Sequence, residues 1–185
     1  MRIIAGTARS LPLKTIEGKE TRPTTDRIKE TLFNMIQQDV PDSYFLDLFA
    51  GSGQIGLEAV SRGAAYAFFI ENAKNAVSCI ADNIAFTKFD KQCKLLQMDV
   101  LNGLRTLEGK YTFDIIFMDP PYKDGSEKQV LTFLSQSSLV KPSAKIIVEA
   151  AKDTDFSYAI PLGYEITREK IYKTNKHVFL KKNKA

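Results

Sequence analysis

The sequence predicts a doubly wound α/β fold: a mostly parallel sheet, an antiparallel hairpin at its C-terminal end, and a small N-terminal β-ribbon/helix extension. Three observations predict it. Short, nearly continuous apolar runs recur from Ser43 onward, as strands buried on both faces do. Segments with apolar residues at three- and four-residue intervals separate them. The last two runs alternate apolar with polar residues instead, the pattern of an antiparallel pair with one face in water.

In chain order the apolar runs are YFLDLF (44–49), YAFFIE (66–71), CKLLQMD (93–99), FDIIFMD (113–119) and KIIVEA (145–150). GQIGLEAVSRG, NAKNAVSCIADNIAFTK and EKQVLTFLSQSS lie between them and carry the helical period. Strand and helix in alternation make crossover connections, and hence parallel pairing. YEITREKIY and KHVFLKK, joined by the turn-prone KTN, read as a hairpin closing one sheet edge.

Residues 1–40 differ in kind. They form the extension, and residues 41–185 the sheet domain of a single globular unit. RIIAG and LPLKT predict a small ribbon, followed by a polar loop around Gly18. A helix starts after Pro23 with Thr24, Thr25 or Asp26 as its N-cap. Ile28, Leu32, Met35 and Ile36 are its expected core stripe.

Composition narrows the function classes. A chain of 185 residues is one domain by default. No run approaches the ~18 apolar residues of a membrane span, and MRIIAGTARS lacks a signal-peptide core, so a cytoplasmic protein without membrane contact is expected. Cys79, Cys93 and the single His177 have neither metal-ligand nor triad spacing, which argues against a metal site and against Cys/His nucleophiles. Net charge is +4 but unevenly spread: residues 1–35 hold seven basic and four acidic side chains, and residues 164–185 hold seven and two. Two basic ends around a mildly acidic middle suggest a polyanionic partner lying across surfaces built from the termini.

LDLFAGSGQIGLEA places Gly51, Gly53 and Gly56 in G-x-G-x-x-G spacing between a predicted strand and a predicted helix. Such glycines allow a tight turn and close approach of a ligand to the backbone. Glu71 ends the next strand twenty residues after Gly51, where an acid can accept hydrogen bonds from ribose hydroxyls. A nicotinamide dinucleotide and S-adenosylmethionine both suit such a loop. Asp47, inside the preceding strand end, decides between them, since a carboxylate repels a pyrophosphate and attracts a cationic sulfonium amino acid. Phe49, Ala50, Ser52 and Asn72 flank these positions and complete the expected cofactor contacts. Asp99 and Val100, at the end of the third strand, are candidates for the adenine edge.

The fourth strand ends in Asp119-Pro120-Pro121-Tyr122. Each proline fixes its own φ, lacks an N–H and pushes its predecessor toward extended geometry. The Asp119 carboxylate and Pro120 carbonyl are thereby held as two rigid acceptors, and Tyr122 offers a ring for stacking. An exocyclic amine on a flat base fits this arrangement. Two hydrogen bonds to its N–H groups favour a pyramidal nitrogen whose lone pair meets a sulfonium methyl. A paired base cannot reach such a pocket, so the target is unpaired or flipped out.

Together LDLFAGSGQIGLEAVSRGA, Glu71, MDPPY and TRPTTDRIKETLFN resemble the RsmD-type bacterial 16S ribosomal RNA (guanine-N2)-methyltransferase family. The resemblance covers nearly the whole chain. It implies a Rossmann-like class I methyltransferase sheet, S-adenosylmethionine as cofactor, and methyl transfer to the N2 amine of one guanine in 16S ribosomal RNA, guanine 966 by the same resemblance, within an assembled or assembling small subunit. The basic extension makes Arg2, Arg9, Lys14 and Arg27 candidate RNA contacts. The resemblance adds Arg22, Pro23 and Thr24, bordering the cofactor or the base. Where the family's ribbon carries paired glycines and an Arg-Gly-Arg element, this chain has Ala5 and ARSLP. DPPY alone is shared with DNA adenine-N6 methyltransferases, the first alternative, although no sizeable target-recognition insertion is present. A non-catalytic nucleic-acid-binding module with a Rossmann-like nucleotide site is the second.

Overall fold

A computed structural model describes residues 1–17 and 25–184 of the chain. Seven strands, β1 (Tyr44–Leu48), β2 (Tyr66–Glu71), β3 (Cys93–Gln97), β4 (Phe113–Met118), β5 (Val140–Ala151), β6 (Tyr164–Ile171) and β7 (Asn175–Lys182), make one sheet in the order β3-β2-β1-β4-β5-β7-β6. The first five are parallel, and β7 pairs antiparallel with both β5 and β6. The winding reverses between β1 and β4, and at such a switch point the carboxyl ends of the strands open a crevice. Every strand predicted from Ser43 onward forms. The fifth starts earlier than its apolar run, because Val140 pairs with Phe113 before a register shift between Phe113 and Ile115.

Five helices, α1 (Asp26–Ile36), α2 (Gln54–Ser61), α3 (Lys74–Thr87), α4 (Val100–Leu107) and α5 (Ser126–Ser135), cover the sheet. On one face Leu104, Leu107, Leu131 and Leu134 pack on Leu48, Phe68, Ile116 and Val148. On the other, α1, α2, α3 and the N-terminal segment bury Ile3, Leu32, Phe33, Leu57 and Ile80 against Phe45, Phe69, Phe117 and Phe179.

Two features depart from the sequence expectation. Helix α4 was not anticipated, since eight residues containing Asn102 and Gly103 have little intrinsic helical preference. It forms through burial of Val100, Leu104 and Leu107, and Gly103 allows the approach: a Cβ there would lie 2.6 Å from Ile70 Cδ1. The buried stripe of α1 is also rotated from the expected one. It consists of Lys29, Leu32, Phe33 and Ile36, while Ile28 and Met35 are only half-buried. Thr25 is the N-cap, its Oγ1 accepting from Ile28 N at 3.2 Å.

Lys29 is wholly buried, which the polarity of the residue does not suggest. Its Nζ donates to the Arg2 carbonyl at 2.5 Å and lies 3.6 Å from Glu58 Oε2, while Arg62 Nε lies 2.8 Å from Glu58 Oε1. Burial lowers the Lys29 pKa, and the Glu58 charge opposes that shift. Glu58 also accepts from Ile4 N at 2.9 Å and Ala5 N at 3.1 Å. One buried carboxylate thus fastens the extension to α1 and α2. The expected ribbon is a single bridge, Arg2 to Pro12, closed by Ile3 N donating to Leu11 O at 3.0 Å. Gly6 is required there, with φ +87° and a hypothetical Cβ 1.8 Å from Ser61 O. The expected loop at Gly18, together with Arg22, Pro23 and Thr24, lies outside the described residues.

Candidate active site

The glycine loop joins β1 to α2, and its glycines have different physical reasons. Phe49, Gly51 and Gly53 take positive φ, at 56°, 58° and 79°. A Cβ at Gly51 would meet open space, whereas one at Gly56 would lie 2.4 Å from Phe69 Cε1. Gly51 therefore leaves room above the loop, and Gly56 lets α2 settle on β2. Asn83 of α3 holds the loop from behind. Its Nδ2 donates to Ser52 O at 3.0 Å, and its Oδ1 accepts from Lys14 N at 2.8 Å, tying loop and extension together. Asn83 lies inside a helical stretch, and nothing in its sequence context distinguishes it.

Asp47 and Glu71 flank the loop. Asp47 is buried, and its Oδ2 accepts from Gly56 N at 2.9 Å. Burial pushes its carboxyl well above the usual carboxylate range; the Gly56 N–H opposes this and the Glu71 charge adds to it. Glu71 accepts from Gly51 N at 2.9 Å, Asn72 N at 2.9 Å and Ala73 N at 3.0 Å. A carboxylate has about four acceptor sites, so roughly one remains. Ala50 and Ser52 are buried, and Asn72 is exposed. Asp99 and Val100 stand at the start of α4. Asp99 is exposed and caps the helix by accepting from Asn102 N at 3.2 Å, and Val100 is buried.

Asp119 follows β4, with its N–H directed to Leu48 O at 3.4 Å. Burial raises its pKa well above the ordinary value, and the charges of Glu149 and then Asp47 raise it further. The strand register explains why these groups meet. Asp47 pairs with Phe117, Phe117 with Ile147, and Glu149 with His177. Side chains two residues apart share a face, so Asp47, Asp119, Glu149 and His177 all project to one side of the sheet's carboxyl rim. Glu149 and His177 were not among the sequence candidates. The signal that could have found Glu149 is the acid closing KIIVEA, the same signature as Asp119 in FDIIFMD. No such signal marks His177, which reads as one polar residue in an alternating strand.

Beside this row lies a cavity of about 210 Å³, walled by Pro120, Pro121, Tyr122, Glu149, Ala151 and Thr154 among others. Pro120 is buried, Pro121 exposed, and Tyr122 is 49% exposed. Of the candidate RNA contacts, Arg2 pairs with Asp26 at 3.1 Å and Lys14 with Asp82 at 2.8 Å, while Arg9 and Arg27 are exposed. Among the described residues no cluster of acids, His and Cys could hold a metal ion, and no helix is long and apolar enough to cross a membrane.

Residues 1–181 match the family model described as conserved hypothetical protein 95. The chain is 34% identical over 171 residues to ribosomal RNA small subunit methyltransferase D of Haemophilus influenzae, covering 92% of this chain and 88% of the relative. It is likewise 34% identical over 172 residues to the protein of that name in Escherichia coli K12, covering 92% and 84%. A candidate methyltransferase of known structure, yhhF of Escherichia coli, superposes with a TM-score of 0.87 at 31% identity over 99% of this chain and 98% of that one. The sheet order and these likenesses give the Rossmann-like fold of class I methyltransferases. With a family model spanning nearly every residue and curated relatives a third identical along most of their length, the chain belongs to the conserved hypothetical protein 95 family, the RsmD-type methyltransferases of ribosomal RNA.

Proposed function

We propose that this protein transfers a methyl group from S-adenosylmethionine to the exocyclic N2 amine of a guanine in 16S ribosomal RNA, within an assembled or assembling small subunit. The observation that carries the reading is the row Asp47, Asp119, Glu149 beside a single-base cavity. This arrangement supports a reading in which the Asp119 carboxylate and Pro120 carbonyl are the amine acceptors, with Asp47 toward the cation and the cavity toward the ring. Ribosomal RNA methylation follows from the family, and the rigid acceptors that end β4 favour an exocyclic amine as the target.

The residues fit the cofactor. Asp47 is a buried carboxylate that no Lys or Arg side chain pairs with among the described residues, so a cationic ligand group would relieve the desolvation that raises its pKa. Gly51 leaves open space, Phe49, Ala50, Ser52 and Gly53 shape the loop, and Glu71 keeps about one acceptor site for a ribose hydroxyl. Asn72 borders that ribose, with Asp99 and Val100 at the adenine edge. When bound, S-adenosylmethionine supplies an electrophilic methyl on a positively charged sulfur.

The protein's own groups do the rest. The Asp119 carboxylate and Pro120 carbonyl accept the two N2–H bonds and orient the nitrogen lone pair, while Pro121 fixes their geometry and Tyr122 stacks on the base at about 1–3 kcal/mol. A neutral guanine amine is far too weak an acid to be deprotonated beforehand. Its nitrogen becomes acidic once it carries the extra carbon, and the Asp119 carboxylate, already hydrogen-bonded to it, takes the proton then. Arg9 and Arg27, with Arg2 and Lys14, supply phosphate contacts near the extension.

The test is incubation with methyl-labelled S-adenosylmethionine and either small ribosomal subunits or duplex DNA, followed by mass spectrometry of the nucleosides. N2-methylguanosine from 16S RNA is expected. Label in adenine of DNA alone would replace this reading with the DNA adenine-N6 alternative.

A further inference from the structure

We propose that Glu149 selects guanine: its carboxylate accepts the N1–H of the target base while Asp119 and Pro120 hold the adjacent N2 amine. This rests on the guanine-N2 reading above and adds the residue that makes it specific.

Four observations converge on Glu149. It is only 5% exposed, and it lines the cavity together with Pro120, Pro121 and Tyr122, the residues that follow Asp119. Its orientation is fixed from behind by β7, with Asn175 Nδ2 donating to Oε1 and His177 Nε2 meeting Oε2, each at 3.0 Å. Those contacts use two of about four acceptor sites and leave two for a ligand. No Lys or Arg side chain pairs with it among the described residues, so a donor from the substrate would satisfy a buried anion that is otherwise only partly solvated. Finally, the β4–β5 register sets it beside Asp119 on the same face, and its charge is felt there.

Base chemistry does the selecting. On its pairing edge guanine presents N1–H beside its N2 amine, two adjacent donors that match two adjacent carboxylates. Adenine presents a lone pair at N1, which a fixed carboxylate repels. A cavity of about 210 Å³ has room for one ring system. A buried polar group left unpaired by the wrong ligand is a strong discriminator, stronger than any apolar wall. His177 and Asn175 do not reach the base in this scheme. They are positioning residues, holding the carboxylate at one angle.

The experiment compares single-turnover methylation of small subunits reconstituted with either guanine or 2-aminopurine at the modified position. 2-Aminopurine keeps the N2 amine but has a lone pair at N1. The wild type is expected to prefer guanine by about 100-fold or more. Glu149→Gln, whose amide can donate to that lone pair, should lower the rate on guanine, raise it on 2-aminopurine and shrink the preference at least tenfold. Intrinsic differences between the two bases cancel in this comparison of ratios. Glu149→Asp, which keeps the charge but withdraws it by one methylene, serves if the amide variant does not fold, and should also shrink the preference at least tenfold. An unchanged ratio in the folded variant overturns the role of Glu149 while leaving the guanine-N2 activity standing. A wild type that forms no N2-methylguanosine overturns both.

Discussion

Glu149 Oε2 and His177 Nε2 lie 3.0 Å apart near the carboxyl rim of the sheet, 28 residues apart in the chain, and both residues are buried. The antiparallel pairing of β5 with β7 makes them direct neighbours. The His177 ring also stands edge-on to Phe117 and Tyr172, with centroids at 6.0 and 5.3 Å. His177→Phe should keep this ring packing and remove the nitrogen facing the carboxylate. We expect a stability loss of about 1–3 kcal/mol, the usual consequence of leaving a buried polar group short of a partner. Chemical denaturation reads it directly, and an undiminished unfolding free energy would show that the pair contributes nothing to the fold.

Asp119 gives a pH-dependent prediction. Its folded-state pKa is raised, chiefly by burial, above an ordinary value of 3.8. Stability tied to its proton is therefore full below about that value and is lost as pH rises through the raised one. Asp119→Asn, uncharged throughout, should melt higher than the wild type at pH 8 when no cofactor is added, and the difference should vanish near pH 3. About 2–4 °C is expected per kcal/mol for a chain of this size. The same variant should lose at least about 100-fold in methyl transfer. Equal melting temperatures at pH 8 would mean the carboxyl is not strained by its surroundings.

Two glycines of one loop should fail in different assays. Gly56→Ala drives a Cβ to within 2.4 Å of the Phe69 ring, so it should destabilise the protein by about 1–3 kcal/mol. Gly51→Ala meets no neighbour, and its positive φ adds only about 1 kcal/mol. Its methyl would instead project into the space assigned to the cofactor, and calorimetric titration should show S-adenosylmethionine binding weakened by ten-fold or more. If Gly51→Ala binds the cofactor normally, the ligand does not approach the loop there.

The carboxylate of Glu58 meets Lys29, Arg62 and two backbone N–H groups of the extension, and it is wholly buried. Glu58→Ala strands the Lys29 ammonium and should destabilise by about 3–5 kcal/mol. Because the contacts to Ile4 and Ala5 go with it, limited proteolysis should cut within residues 1–15 before the sheet domain unfolds. Cleavage simultaneous with global unfolding would show that the extension does not depend on this carboxylate.

Arg9 and Arg27 are exposed cations of the N-terminal segment for which no ion pair is found among the described residues. If each contacts one phosphate, the double variant Arg9→Glu/Arg27→Glu should weaken binding to small subunits and flatten the dependence of log affinity on log salt by about 2. An unaltered slope would remove this surface from the RNA footprint. Arg2 and Lys14 should matter less, since carboxylates of the same chain already pair with both.

The sequence by itself determined the succession of strands along the chain, the glycine loop and the two acids near the ends of β1 and β4. Each follows from local chemistry: apolar runs of strand length, glycines needed for positive φ, and consecutive prolines that stop a buried strand. Only the tertiary structure decided which residues stand beside Asp119. Glu149 and His177 reach it through the register of β4, β5 and β7, and a register depends on pairings between segments far apart in the chain. Helix α4, the buried Lys29 and the Asn83 staple belong to the same class. Their residues have no local preference for what they do, and it is burial against distant neighbours that holds an eight-residue helix, a desolvated ammonium and a loop-bracing amide in place.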